Sequence, residues 1–190
     1  TRFKCPSVSK AIIGSCPNLQ FIQMMGSNST ELYIKECNKL SSIATIRIMA
    51  IHIMNCKNVN DKTIEQILAM DNSNVLSTLS IQNCGLVKPS IRHNKLTRLK
   101  LNKCQFLQDL HLECPLISSL EISDSPNLSL QFVLKLNLLS NLEHVTHLIL
   151  RGTRLTLTAL EKLLSRLQRL RYLDISNTSI SSQNRKEIMA

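Results

Sequence analysis

The chain has 190 residues, of which 43% are hydrophobic, and its 23 Lys and Arg against 13 Asp and Glu give a formal net charge of +10. This composition suits one globular domain with a packed core, and the lack of Trp with only four Phe predicts that Leu and Ile fill that core. No stretch approaches the roughly 20 consecutive apolar residues of a membrane span, so we expect no membrane-spanning segment.

A short phrase, apolar-x-x-apolar-x-apolar-x-x-Cys, recurs along the chain. Its complete copies are Ile48, Ile51, Ile53 and Cys56, then Leu76, Leu79, Ile81 and Cys84, then Leu96, Leu99, Leu101 and Cys104. Partial copies end at Cys37 and Ser125, and two late copies carry Thr153 and Thr178 in the last slot. The last two apolar residues of each phrase lie two apart, which is the period of a strand with one buried face. The phrase therefore predicts a series of half-buried strands.

The spacing of these phrases resembles that of the leucine-rich repeat. Equivalent positions between Ile34 and Ile175 are separated by 19 to 28 residues, and such repeats are about 20–29 residues long. One repeat cannot bury its apolar side alone, so each must stack on its neighbours. The resemblance implies an α/β leucine-rich repeat solenoid, with a curved parallel sheet on the concave face and short helices or extended segments outside.

The first repeats allow two interpretations. Leu19, Ile22 and Met24 fit the phrase, yet Met24 precedes Ile34 by only ten residues, about half of one repeat. Either residues 19–24 lie on the outer face or the repeat register is broken there. We expect residues 1–190 to form a single domain, a fragment of a longer protein, since the first residues resemble neither an initiator Met nor a signal peptide.

The middle of the chain predicts one helix followed by extended segments. Apolar residues at helical spacing in 64–68 follow Asn60 and Asp61, either of which could cap the helix. The interval 85–95 is too short for a helix and contains Gly and Pro, so we expect it to be extended or turned. Residues 107–112 repeat the strand phrase, which predicts an extended segment on the outer face as well.

Two further helices and a terminal cap are expected in the last third of the chain. The spacing of apolar residues in 132–139 predicts one helix, and that in 160–167 predicts another. Thr158 with Glu161 three residues on predicts a capping box for the second. The polar segment 180–190 has the composition of a terminal capping unit.

The seven cysteines are most simply explained as structural. Four occupy the last slot of successive phrases and the other three each precede Pro. A small, weakly polar group in that slot can face backbone groups at the bend after the strand. We expect no metal site, because Cys-x-x-Cys is absent and His111-x-x-Cys114 is an isolated pair. Reduced thiols imply an intracellular protein, cytoplasmic or nuclear.

One segment resembles a particular class of these repeats. Residues Ile53–Ile67 (IMNCKNVNDKTIEQI) resemble the cysteine-containing class, and Cys16–Leu19 (CPNL) resembles its join between one helix and the next strand. Members of this class are typically F-box substrate receptors of Skp–cullin–F-box ubiquitin ligases. The resemblance implies the substrate-binding repeat region of such a receptor, although no F-box-like segment is recognisable. The phrase at 170–178 would equally suit the ligand-sensing repeats of an intracellular immune receptor.

Catalysis is not expected. The chain has four Gly and contains no Gly-rich phosphate loop, no His-Glu-x-x-His and no Gly-x-Ser-x-Gly. No two carboxylates can be defended as a general acid and base. We therefore expect no enzyme activity, no catalytic residue and no cofactor.

A protein partner on the concave face is the expected ligand, because that face displays side chains on a rigid, regular sheet. The residues expected to bind it are Tyr33, His52, Met54, Arg98, Lys100 and Arg151. The positive charge suggests that an acidic protein is one candidate partner. The alternative is nucleic-acid or phosphate binding through a basic concave stripe, although the aromatic residues that stack on bases are scarce. The oligomeric state is not predicted.

Overall fold

The computed structural model describes residues 2–4, 8–71, 75–128 and 142–180. The strands within these ranges are β1 (Arg2–Lys4), β2 (Lys10–Gly14), β3 (Phe21–Lys35), β4 (Ser42–Met54), β5 (Thr78–Gln82), β6 (Ser90–Arg92), β7 (Arg98–Asn102), β8 (His111–Glu113), β9 (Ser119–Ser123), β10 (His147–Ile149) and β11 (Tyr172–Asp174). The helices there are α1 (Asp61–Met70) and α2 (Leu157–Leu164), together with a 3-10 turn at Leu142–His144.

The described strands form a large sheet and a small one. The main sheet has nine strands in the order β1-β3-β4-β5-β7-β9-β10-β11, with β2 paired to β3 as well, and β6 pairs with β8 in the second sheet. Every pairing described is parallel. The expected α/β class with a parallel sheet is confirmed at this level.

The core lies against one face of the main sheet. Leu79 and Ile81 of β5 are buried, and so are Leu99 and Leu101 of β7, while the residues between them are only half-buried. Leu and Ile supply most of one continuous cluster that runs from Ile22 to Ile180. The period-two phrase therefore predicted which side of each of these strands faces the core.

The N-terminal phrases lie on one long strand. β3 pairs with β4 along most of its 15 residues, and the register shifts between Met25 and Thr30 and again between Thr30 and Glu31. Ile22 and Leu32 are both buried, so both phrases contribute to the core. The shift agrees with the second of the two interpretations, that of a broken register.

The first predicted helix is confirmed, and the start predicted for the last one is wrong. The Asn60 side chain caps α1 by accepting from the backbone N–H of Thr63 at 3.3 Å, and Thr63 completes the capping box. α2 begins at Leu157 rather than after Thr158, because Thr156 has the extended backbone of a cap and its hydroxyl accepts from the N–H of Ala159 at 3.3 Å. The helix expected over 132–139 and the cap expected after residue 180 lie outside the described residues.

Two extended segments expected outside the main sheet are confirmed. β6 lies within the interval 85–95, β8 follows Leu107 and Leu110, and the two strands pair in register from Ser90 opposite His111 to Arg92 opposite Glu113. An exposed ion pair between Arg92 and Glu113, 3.3 Å long, lies on this second sheet.

A buried hydrogen-bonded pair of side chains joins the end of α1 to the segment after β6. The Nε2 atom of His93 lies 3.0 Å from Oδ2 of Asp71, and the two side chains are 3% and 6% exposed. Nδ1 of His93 accepts from the N–H of Lys95 at 3.2 Å, so Nε2 carries the proton that is donated to Asp71. The same carboxylate oxygen accepts from the N–H of Leu76 at 2.8 Å.

Candidate binding surface

The turns after the main-sheet strands share one backbone conformation. The residues of positive φ at or just after the strand ends, with φ between 50° and 65°, are Ser15, Glu36, Asn55, Asn83, Lys103, Asp124, Gly152 and Asn177. Asn, Asp and Gly tolerate this left-handed region best, and they occupy five of the eight positions. The backbone N–H of Asn83 donates to the carbonyl of Asn102 at 2.9 Å, and its counterparts from Ser15 to Gly152 make equivalent bonds. These bonds continue the parallel pairing into the turns.

The Cys, Ser or Thr after each such residue forms a hydrogen bond at the bend. The thiols of Cys37, Cys56 and Cys84 donate to the carbonyl two residues earlier at 3.4, 3.4 and 3.3 Å. Ser125 makes the same bond at 3.2 Å, and Thr153 donates to the carbonyl three residues earlier at 2.6 Å. This confirms the structural role predicted for the last slot of the phrase.

The thiols are poor nucleophiles and poor metal ligands in this setting. Burial raises the pKa of Cys56 and Cys104 to about 11 and that of Cys84 to about 12. Reactivity and metal binding need the thiolate, so these side chains stay protonated at neutral pH. The six cysteines in the described part of the chain are free thiols, and no group of three or more potential metal-ligating side chains lies together in that part.

On the face of the main sheet opposite the core, the strand register aligns the outward side chains in rows that run across the sheet. Each strand contributes one side chain to a row, and successive rows form levels along the strand direction. We call the middle level the central row. It consists of Ile12, Tyr33, His52, Ser80, Lys100, Glu121, Ile149 and Asp174, which the strand register places opposite one another in that order. Tyr33, His52 and Lys100 lie in this row, whereas Arg98 lies one level before it and Met54 one level after it. The described chain thus places these predicted binding residues on one surface.

The first strands of this surface carry a stack of rings. The rings of Tyr33 and His52 lie 4.4 Å apart with an angle of only 9° between their planes. The ammonium of Lys10 lies 4.6 Å from the centre of the Tyr33 ring, within the range of a cation–π contact. The hydroxyl of Tyr33 donates to Oε2 of Glu31 at 2.9 Å. Ile12 is 60% exposed beside this stack, so this end of the row is both aromatic and apolar.

The His52 imidazole is held in its neutral form. Partial burial lowers its pKa below the usual value, and the nearby charges of Lys10 and Arg98 lower it further, against the opposing effect of Glu31. A neutral imidazole stacks on a phenol without desolvating a charge. The His52 ring therefore acts as an aromatic surface at neutral pH.

Two of the predicted basic residues are neutralised by partners. Lys100 pairs with Glu121 at 2.9 Å, and the same carboxylate oxygen of Glu121 accepts from the hydroxyl of Ser123 at 2.9 Å. Arg151 pairs with Asp124 at 2.9 Å, and this hydrogen bond raises the pKa of the guanidinium. Arg98 is exposed and forms no ion pair with any described residue. Of the three basic residues predicted to bind a partner, only Arg98 is without an ion pair among the described residues.

The repeated phrase does not predict every member of this surface, and some positions that the phrase turns away from the core are nevertheless buried. Lys10 and Ile12 belong to it through the pairing of β2 with β3, but their segment lacks the full phrase. The outward positions Ala50, Asn102 and Ser123 are buried by their neighbours. A second ring contact joins His147 and Tyr172 on the last two strands, with ring centres 6.0 Å apart. Aromatic residues one strand apart were the signal that could have found it.

The exposed part of the positive charge lies largely away from the central row. Arg154, Arg169 and Arg171 are exposed around α2, and Lys57 and Lys88 are exposed in turns. A continuous basic stripe across the main sheet is therefore not seen among the described residues, and acidic side chains alternate with the basic ones there.

No protein-family model, curated protein or solved structure gives a significant match to this chain. Within the described residues, no helix has both the length and the apolar character needed to cross a membrane.

Proposed function

We propose that this chain is a leucine-rich repeat solenoid that recognises a protein through the exposed face of its main sheet. The observation that carries the proposal is the central row, in which eight strands present one side chain each at the same level. Such a row lets several side chains contact a partner at once while the buried neighbours on each strand hold them rigid.

The repeat interpretation is supported by features that recur with the phrase. The same strand, left-handed residue and hydrogen-bonded Cys, Ser or Thr follow one another from Gly14 to Thr178. Each strand from β3 onward pairs with the next strand of the main sheet along the chain. Stacking of such units is how solenoid proteins bury a continuous core.

A protein partner is favoured over nucleic acid by the composition of the surface. Tyr33, His52, Ile12 and Met54 offer ring and apolar area of the kind that anchors protein interfaces. Phosphate binding needs several cations free to contact successive phosphates, whereas Lys100 and Arg151 are already paired. We further propose that the partner is the substrate of a Skp–cullin–F-box-like ubiquitin ligase receptor, an assignment supported only by the resemblance of residues Ile53–Ile67 and Cys16–Leu19.

The test is affinity capture from a cell lysate with the whole chain as bait, with and without nuclease. The face variant combines Tyr33→Ala with His52→Ala. A matched control combines Arg92→Ala with His111→Ala, which removes an exposed pair of side chains, 3.3 Å apart, from the second sheet. We expect protein partners that survive nuclease, persist with the control variant and are lost with the face variant.

Two results would contradict the proposal. Partners retained equally by both variants would show that binding does not use the central row. Recovery of nucleic acid alone, abolished by nuclease, would favour the alternative of phosphate binding through exposed basic residues. Ubiquitin chains on the captured partner would support the F-box assignment, and a captured partner that carries none after proteasome inhibition would contradict it.

A further inference from the structure

The ring stack on the central row stops abruptly at β5. Tyr33 and His52 stack on neighbouring strands at 4.4 Å, and the next residue in the row is Ser80. The serine side chain is too short to reach the height of the rings. The far face of the His52 ring is therefore left without a ring on the next strand, where the short Ser80 side chain lies in the row.

The strand spacing fixes the width of the space above Ser80. Adjacent strands of a sheet lie about 4.8 Å apart, so β4 and β7, separated by β5, lie about 9.6 Å apart. A planar group placed midway would lie about 4.8 Å from the His52 ring, close to the distance that stacked rings adopt. We call this space the Ser80 slot. It has His52 on one side, the Arg98 and Lys100 side chains on the other, and Thr78, Ser80 and Gln82 as its floor.

The charges around the Ser80 slot leave one positive charge uncompensated. Lys100 is paired with Glu121, while Lys10 lies over the Tyr33 ring and Glu31 accepts the Tyr33 hydroxyl. Arg98 remains exposed, without an ion pair to any described residue. Its charge also contributes to lowering the pKa of His52. A ligand that brings a planar ring and a nearby carboxylate would satisfy both the ring face and this guanidinium.

We propose that the Ser80 slot receives an aromatic side chain from an acidic segment of the partner protein, with an adjacent carboxylate on Arg98. This inference rests on the proposed function, since it names the chemistry of the partner that the surface recognises. A peptide fits better than a single-stranded nucleic acid, because only one unpaired cation borders the slot and the apolar side chain of Met54, 41% exposed, lies at its rim.

The absence of Trp from the chain provides a clean optical test. The probe is the capped pentapeptide Glu-Asp-Trp-Asp-Glu, whose fluorescence anisotropy and emission maximum report binding to the unlabelled protein. Two peptides serve as ligand controls. One has Leu in place of Trp and, because it lacks the fluorophore, is measured as a competitor of the Trp peptide. The other has Lys in place of every acidic residue. We expect the acidic Trp peptide to bind about tenfold or more tightly than either control.

Substitutions in the slot distinguish the effect of filling it from the effect of changing the residues at its sides. Ser80→Phe places a ring in the slot while leaving His52 and Arg98 unchanged, and we expect it to abolish binding of the acidic Trp peptide. Ser80→Ala leaves the slot open and should bind as the unaltered chain does. Arg98→Gln should weaken binding about tenfold, whereas Arg154→Gln, which removes the same charge from an exposed position before α2, should not.

The possible outcomes either support or overturn the inference. Binding that is unaffected by Ser80→Phe, or equal for the acidic and basic peptides, would overturn it, as would the absence of binding to a Ser80→Ala protein that unfolds normally in urea. A labelled oligothymidine that binds and is displaced by Ser80→Phe, when the peptide does not bind, would assign the slot to nucleobases instead. Loss of captured partners in the face variant, without peptide binding, would leave the proposed function intact and reject only the Ser80 slot.

Discussion

Replacing His93 with Ala leaves the carboxylate of Asp71 buried without its imidazole partner. The two side chains are only 6% and 3% exposed, and their 3.0 Å contact lies between the end of α1 and the segment after β6. The N–H of Leu76 still donates to Asp71 after the substitution, but the hydrogen bond from Nε2 of His93 is lost while the carboxylate stays buried. Removing a hydrogen-bond partner from a buried polar group costs about 1–3 kcal/mol, and more where that group is charged, so we expect His93→Ala to lose about 3 kcal/mol or more.

The measurement is the free energy of unfolding from urea denaturation followed by circular dichroism. His111→Ala is the matched control, because His111 also contacts a carboxylate, that of Glu113 at 2.7 Å, but both side chains are more than half exposed. Exposed pairs contribute about 0–1 kcal/mol, so the control should lose less than that. Equal losses for the two variants would refute the argument that burial, rather than the contact itself, sets the energy.

Two further predictions concern a glycine and the buried thiols. Gly85→Ala places a Cβ atom 2.6 Å from the backbone carbonyl oxygen of Lys57, which cannot move aside freely, and should lower the free energy of unfolding by about 1–3 kcal/mol. Gly14→Ala meets only flexible side-chain carbons of Lys35 at 3.2 Å or more and should cost less; the reverse order would contradict the steric argument. Burial raises the pKa of Cys84 to about 12, from a value of 9.0 for an unburied thiol. The protonated thiol therefore makes its full contribution to the stability of the folded state below about pH 9, and this contribution is lost as the pH rises through 12. Urea unfolding at pH 8 and 10.5 should show a decrease that is shallower in Cys84→Ala, and an identical pH slope in that variant would contradict it.

The parts of the fold that the sequence predicted are those controlled by local periodicity. The alternation around Leu79 and Ile81 is visible in five residues of sequence, and so is the side of β5 that faces the core. The sequence narrows the cap of α1 to Asn60 or Asp61, because a cap depends on residues within one turn of the helix, and the structure selects Asn60. The sequence predicts the wrong start for α2 because Thr156 and Thr158 have similar capping propensities, and the sequence alone does not show which of them has extended backbone.

The parts that could not be predicted depend on contacts between repeats of unequal length. Lys100 meets Glu121 and Arg151 meets Asp124 only because the strands are in register across intervals of 21 and 27 residues. A shift of one residue would turn these side chains to the other face. Two of the three basic residues that the sequence predicts for binding, Lys100 and Arg151, are therefore members of ion pairs in the structure.

This division between local and long-range information also explains why the fold is easier to infer than the partner. The buried positions of each strand are restricted to Leu, Ile and similar residues, so they repeat along the chain and reveal the architecture. The central row is free of that restriction, and its members range from Tyr33 through Ser80 to Glu121. What the surface can bind is therefore determined by differences between neighbouring repeats. The step from the His52 ring to the small Ser80 side chain is one such difference, and a regular repeat of either residue would remove the slot.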